Sequence, residues 1–376
     1  MTAALTWAQL GAWRMTRHHL VDRAPLAALL DVVSDICGLH AQLMSSAELT
    51  AWARVADLEA GAVATALGDD RSLVKSWAMR GTLHLLRSSE YGMWLGGMGT
   101  YRHYLKPAWS KGFGISQEEL KRMIAAVAKA LDGKALTRDE LATEVARIAR
   151  SPALAEKLRG NWGSTLKPAT YQGKLCFGPN RGRNVTFVSP DQWLTNLRVE
   201  PPGDAIATIT RRFLAAHGPA TRDDYARWWA MSPAEAATRI KALGDEVEEV
   251  NLAGTSMWML TADIDPAAAC GPEKVVRLLP AFDQFVIVST RQADNLLPGP
   301  FRSRIYRPQG WISPVLLVGG QMAGVWKHER KGTRLTVTFE PFAKLAKWAV
   351  NAAEAEAADL GRFLGVGDDV QVTWQA

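Results

Sequence analysis

The sequence predicts an α+β chain in which helical units, each closed by a β-hairpin, precede a β-rich C-terminal domain. Three observations predict it. Helix-start signatures crowd the first two thirds of the chain, a three-helix-plus-hairpin pattern recurs there, and after Pro272 the spacing changes to short β-type runs.

The starts are Thr6-x-x-Gln9, Ser45-x-x-Glu48, Ser116-x-x-Glu119, Thr137-x-x-Glu140, Thr221-x-x-Asp224 and Ser232-Pro233-x-Glu235. Each reads as a capping box or a near variant, in which a side chain accepts from an otherwise orphaned backbone N–H. The clearest unit runs from Asp204 to Asp265. Ile206, Ile209, Phe213 and Leu214 form a helical apolar stripe that ends at Gly218-Pro219. Thr221 starts a second helix and Ser232 a third. Strands over 247–250 and 256–260 follow, with Gly254 in their turn. Three helices and a hairpin make a winged-helix arrangement, whose third helix enters a DNA groove. A second copy is read from Ser116 to Phe177, with helices over 117–131 and 137–149. Its third segment runs from Asn161 to Lys167, and 175–177 form its wing strand. A third copy covers Leu5 to Arg87, with a wing strand over 81–86. Beyond Pro272, strands are expected at 275–279, 285–289, 314–318, 322–326 and 334–339. Gly319-Gly320 is expected as a two-residue hairpin turn. A helix over 341–358 and a strand over 370–374 close an antiparallel C-terminal domain. Linkers are expected at Pro201-Pro202-Gly203 and near 265–275. The expected domains are therefore 1–110, 111–200 and 201–268, three winged-helix units, and 269–376, the β-rich domain.

Composition narrows the function. The 376 residues are 48% hydrophobic, enough to bury substantial cores. Lys plus Arg number 44 against 38 Asp plus Glu, and the resulting +6 suits a polyanion partner. The three cysteines, Cys37, Cys176 and Cys270, lack metal-ligand spacing and do not form a disulfide framework. The N-terminus has no apolar signal core, and no stretch approaches the roughly 20 apolar residues of a membrane span. A soluble protein of the reducing cytoplasm is expected. HExxH, paired CxxC, GxxxxGK[ST] and GxSxG are all missing from the sequence, so no metal and no cofactor are expected. Any chemistry then falls to ordinary acid–base side chains.

The candidate pair is His40 and Gln42, within Cys37-Gly38-Leu39-His40-Ala41-Gln42. An apolar helix over 26–36 ends at Gly38 and another starts at Ser45, so the pair lies at a helix–helix junction. If the segment is extended, positions two apart face one way and Ala41 the other. A histidine near a helix end also serves as a cap or a core-edge residue, and these residues alone leave both readings open.

Four ordered blocks add to this. They are Gly38-Leu39-His40-Ala41-Gln42, residues 76–85 (SWAMRGTLHL), residues 278–283 (LLPAFD) and residues 305–318 (IYRPQGWISPVLLV). Together they resemble the bacterial AlkZ-like DNA glycosylases, over nearly the whole chain. The resemblance implies tandem winged-helix units forming a C-shaped channel for double-stranded DNA, and a monomer. It implies excision of N7- and N3-alkylated purines, extending in some members to interstrand crosslinks or bulky natural-product adducts, in DNA repair or antibiotic self-resistance. The family's reactive motif, Gln–apolar–Gln with a Gln-x-Asp form in another branch, falls on His40, Ala41 and Gln42. The first position departs from Gln, in a His form that the family also contains.

The chemistry is coherent. Alkylation at N7 makes the purine cationic, so it departs without prior protonation and leaves an oxocarbenium-like sugar. A neutral imidazole, with a reference pKa near 6.5, takes the proton of the attacking water. A carboxamide holds that water and steadies the sugar or phosphate. No lysine adjoins the pair, so a Schiff-base lyase step is not expected and the enzyme reads as monofunctional. DNA-contact candidates are Arg102 and Lys106 in an aromatic–basic segment, Lys167, Arg181 and Arg183, the run Arg302, Arg304 and Arg307, and Lys327. Each is equally a residue of a solvated face. Asp283 either orients a catalytic group or serves packing. A non-catalytic winged-helix regulator would share the helical units, and a drug-sequestering resistance protein would bind free genotoxin. The regulator reading explains neither the large β-rich tail nor the His40–Gln42 block.

Overall fold

A computed structural model describes residues 3–160, 163–289, 293–297 and 299–375. The chain is mixed α+β and folds as two compact units, Met1–Val63 with Thr210–Ala376, and Ala64–Ile209.

In the first unit, the capping box of Thr6 and Gln9 starts the helix Trp7–Arg17. Helices Leu29–Asp35 and Met44–Trp52 follow, joined by the two-residue strand Leu39–His40. Further on, helix Pro202–His217, which belongs to this unit from Thr210 onward, and helices Arg222–Trp229 and Pro233–Lys241 precede the hairpin Val247–Leu252 and Thr255–Leu260. The hairpin turns on Ala253 and Gly254, both at positive φ as a type I′ turn requires. The strand Ala4–Leu5 adds to it in parallel. Pro202 and Gly203 are thus the first helical turn rather than a linker, because proline at the first position loses no intrahelical bond.

The N-terminal helix docks on the end of Pro202–His217 through donors to carbonyls there. Arg17 donates to Ala215 O (2.9 Å) and Arg14 to Pro219 O (2.9 Å). His18 lies against Ala216 O (3.1 Å) and His217 Nδ1 (3.3 Å). Cationic and N–H donors suit these orphaned helix-end carbonyls.

The C-terminal part of this unit carries a five-stranded sheet. Its order is Val276–Leu279, Val315–Val318, Gln321–Lys331, Arg334–Pro341 and Val370–Trp374. Gly319 and Gly320 form the expected turn, both at positive φ. The first four strands pair antiparallel, but the last runs parallel to Arg334–Pro341, so the sheet is not wholly antiparallel. The cause is the helix Lys347–Phe363, which carries the chain back across the sheet before the last strand begins. This helix starts six residues later than expected, because Pro341 still ends a strand and the Phe342 N–H still donates to Ala323 O. Ala349, Ala353, Ala357 and Leu360 bury its inner face. Glu356 and Asp359 receive Arg23 (2.9 and 3.1 Å), Arg277 reaches Glu356 (3.2 Å), and the Trp52 indole donates to Asp359 (3.1 Å).

The expected strand over 285–289 is a helix, Gln284–Val288. Asp283 caps it, accepting from the Phe285 N–H at 2.9 Å, and a short apolar run carries no periodicity strong enough to resist.

In the second unit, capping boxes at Ser116 and Thr137 start helices Gln117–Ala130 and Arg138–Ile148. A helix Ala153–Arg159, not foreseen, follows. Asn161 and Trp162 lie outside the described residues, and Lys167 begins the short helix Lys167–Tyr171. The hairpin Cys176–Arg181 with Asn184–Val188 is present. A second hairpin pairs Leu73–Trp77 with Leu83–Arg87. Gly81 belongs to its turn rather than the expected strand. Its φ is +68°, and a Cβ there would meet the Tyr171 hydroxyl at 2.8 Å. Among the described residues no helix is long and apolar enough to cross a membrane.

His18 supplies a pH dependence. It is 1% exposed, and burial, with His217, Arg54 and Arg14 nearby, lowers its pKa well below the ordinary value. The unfolded chain protonates as pH falls through about 6.5 while the folded chain does not, so folding is penalised by about 1.4 kcal/mol per pH unit from this site. Denaturant melts of wild type and His18→Gln between pH 7 and 5 test this: the variant should lose stability less steeply. An equal slope would contradict it.

Candidate active site

The candidate pair occupies the junction between two helices. Leu29, Val32 and Val33 bury one face of the first. The helix stops because Cys37 (φ 61°) and Gly38 (φ 95°) turn left-handed, and the Gly38 N–H closes on Val33 O at 2.7 Å. That six-to-one bond satisfies a terminal carbonyl and reverses the chain. Leu39 and His40 are then briefly extended, and Gln42 lies on a bend. The next helix starts at Met44, with Leu43 as its cap and no side-chain cap bond. Ser45 therefore sits inside the helix, and the expected Ser45–Glu48 box does not form.

The bend breaks the expected alternation. Leu39 and Ala41 are fully buried and anchor the backbone, and His40 is 5% exposed. Gln42 is exposed. The two candidate side chains thus sit at the edge of the core and outside it, one residue apart in the chain's path.

His40 lies against an aromatic ring. The Phe282 ring stacks on its imidazole with centroids 5.1 Å apart and planes 18° from parallel. Trp311 meets Phe282 edge-on at 5.0 Å and is itself 42% exposed. Phe282 adopts φ 61°, where L side chains with bulk rarely go.

The residue after Phe282 belongs to an ion pair that sequence reasoning did not assemble. Arg54 and Asp283 are both 0% exposed and joined by two parallel bonds, each 2.8 Å. The guanidinium also donates to Thr50 O (3.0 Å) and lies 3.4 Å from His18 Nδ1. A guanidinium only donates, so His18 accepts on Nδ1 and carries its proton on Nε2. Gln284 donates to Gly38 O at 2.9 Å, two residues before His40. Asp283 stood out in the sequence, but nothing in the spacing tied it to Arg54, 229 positions away.

The basic candidates divide. In this unit a cavity of about 430 Å³ is lined by Arg304, Arg307, Trp311, Trp326 and Lys327 among others. Arg304 and Lys327 (3.5 Å) both pair with Glu340, whereas Arg307 is exposed and makes no ion pair among the described residues. Arg302 lies over the Tyr306 ring at 5.2 Å. In the other unit, Arg102 donates to the backbone of Gly99 and Tyr101, and Arg181 pairs with Glu140 at 2.8 Å. Lys106 and Arg183 are exposed. Lys167 is half-buried, and burial lowers its pKa. Among the described residues no His, Cys, Asp and Glu cluster could hold a metal ion. All three cysteines are free thiols.

Comparison with known proteins sets the site in context. A family model described as DNA glycosylase AlkZ-like matches residues 33–363. An interstrand DNA cross-link repair glycosylase of Streptomyces sahachiroi is 39% identical over 366 residues, covering 96% of this chain and 97% of that protein. The solved structure of the S. sahachiroi DNA glycosylase AlkZ superposes with a TM-score of 0.90 at 37% identity, covering 99% of this chain and all of that one.

The ion pair yields a stability prediction. Asp283→Asn should cost about 3–5 kcal/mol, because it leaves a buried guanidinium without its counter-charge. Replacing both partners with apolar residues should cost less than either single change. Chemical denaturation of the set measures this, and a loss below about 1 kcal/mol for Asp283→Asn would refute it.

Proposed function

The chain belongs to the AlkZ-like family of DNA glycosylases, and from that membership we propose that it hydrolyses the N-glycosidic bond of cationic N7- and N3-alkylated purines in duplex DNA. The range extends to bulky natural-product adducts and interstrand crosslinks, in repair or self-resistance. A relative named as an interstrand cross-link repair glycosylase, alike over nearly its whole length, supports this reading. The observation that carries it is the His40-Ala41-Gln42 segment, set at a helix junction with Ala41 buried, His40 sheltered and Gln42 exposed.

His40 is the general base and Gln42 the group that holds water and sugar. The exposed carboxamide meets the nucleotide first and offers both a donor and an acceptor. The sheltered imidazole then takes a proton from water aimed at the anomeric carbon. Such a modest pair suffices because the leaving base is already charged. The reaction needs no cofactor, and without a lysine nucleophile it leaves an intact abasic site.

DNA binding on this reading uses three winged-helix units, 1–110, 111–200 and 201–268, with a β-rich domain at 269–376, arranged as a C-shaped channel in a monomer. The three-helix-and-hairpin succession from Pro202 to Leu260 supports the third unit. Arg307, Lys106 and Arg183, exposed and without carboxylate partners among the described residues, are the strongest phosphate ligands. Arg102, Lys167, Arg181, Arg302, Arg304 and Lys327 add to the field. A non-catalytic regulator is not favoured, since the matching family and relatives are glycosylases.

Base release from 7-methylguanine duplexes tests the pair. His40→Ala should slow release by about a hundredfold and Gln42→Ala by about tenfold or more, with DNA affinity retained. Rates within about twofold of wild type would remove the pair from the mechanism. Uracil, an uncharged leaving group, should be released poorly, and borohydride should trap no enzyme–DNA adduct. Efficient uracil release or a trapped adduct would contradict the cationic-lesion, monofunctional reading.

A further inference from the structure

We infer that Phe282 is a positioning residue for His40, a fixed aromatic plate that sets the orientation of the catalytic imidazole; this rests on the function proposed above. A histidine ring turns about a broad, weakly restrained torsion, so its rotamer alone does not aim it. His40 stands on a strand of only two residues. The plate restrains that torsion. Its ring lies 18° from parallel to the imidazole at 5.1 Å, so rotation of the imidazole out of that plane collides with Phe282. Trp311, edge-on at 5.0 Å, stops Phe282 from withdrawing.

The plate is held at both ends of the reactive segment. On one side the Asp283 carboxylate grips Arg54, just beyond the helix that follows Gln42, and accepts the Phe285 N–H. On the other side Gln284 donates to Gly38 O, ahead of His40. Residues 282–284 therefore span the two helices that flank the pair. These anchors also hold Phe282 at its left-handed φ, a conformation that persists only where surroundings impose it. Ordinary core packing asks only for apolar volume at Phe282, whereas positioning asks for a flat ring. The two roles respond differently to substitution.

Phe282→Leu keeps apolar bulk and loses the plate; Phe282→Tyr keeps the plate. Single-turnover release from a 7-methylguanine duplex should fall about tenfold to a hundredfold in Phe282→Leu and stay within about twofold of wild type in Phe282→Tyr. DNA affinity should be unchanged in both. The His40 ring protons, shielded by the stacked ring in wild type and in Phe282→Tyr, should shift downfield in Phe282→Leu, a readout at equilibrium that does not depend on turnover. Wild-type-like release by Phe282→Leu, or equal loss in both variants, overturns the positioning role and leaves the proposed function standing. A wild type that releases no base overturns the proposed function and this role with it.

Discussion

Arg54 and Asp283 form the contact on which the arrangement of the site depends. Two ions without solvent exposure are expensive to desolvate, and their pairing roughly offsets that cost rather than adding much stability. What the pair contributes is geometric. The guanidinium presents two parallel donors that a carboxylate matches in one orientation, so the backbone at 283 is fixed relative to the end of the helix Met44–Trp52. From that point the helix Gln284–Val288 is capped, Gln284 reaches Gly38, and Phe282 is turned onto His40.

The same region shows a division between sheltered and open chemistry. His40 keeps 5% of its surface, while Gln42 and Trp311 face outward. A side chain shielded from bulk water keeps its orientation more easily than one on the surface, and an exposed amide can meet a large, irregular partner. Cations near Trp311 follow a similar division. Arg304 and Lys327 share Glu340, which tempers their charge, and Arg307 does not.

Much of the helical framework was legible. The boxes at Thr6, Ser116, Thr137 and Thr221 all form, as does the Ser232 cap, because capping is local and its partners lie three residues apart. The Gly319-Gly320 turn was legible for the same reason. Failures came where the local pattern allowed more than one element or start. The run 285–289 reads as a strand until Asp283 caps it as a helix, and Ser45 is a cap only if the helix starts two residues later than it does. The candidate site was half legible: His40 and Gln42 stand out as candidates by motif, but Arg54 and Phe282 carry no local signature.

The sequence alone determined the family, most helix starts and the hairpin turns, and it singled out a candidate pair, since each of these is written in residues a few positions apart or in ordered blocks. Tertiary structure decided the parallel last strand, the unequal exposure of His40 and Gln42, and the union of Arg54 with Asp283. Those outcomes depend on residues far apart in the chain, whose meeting is set by packing and desolvation, and no local pattern encodes either.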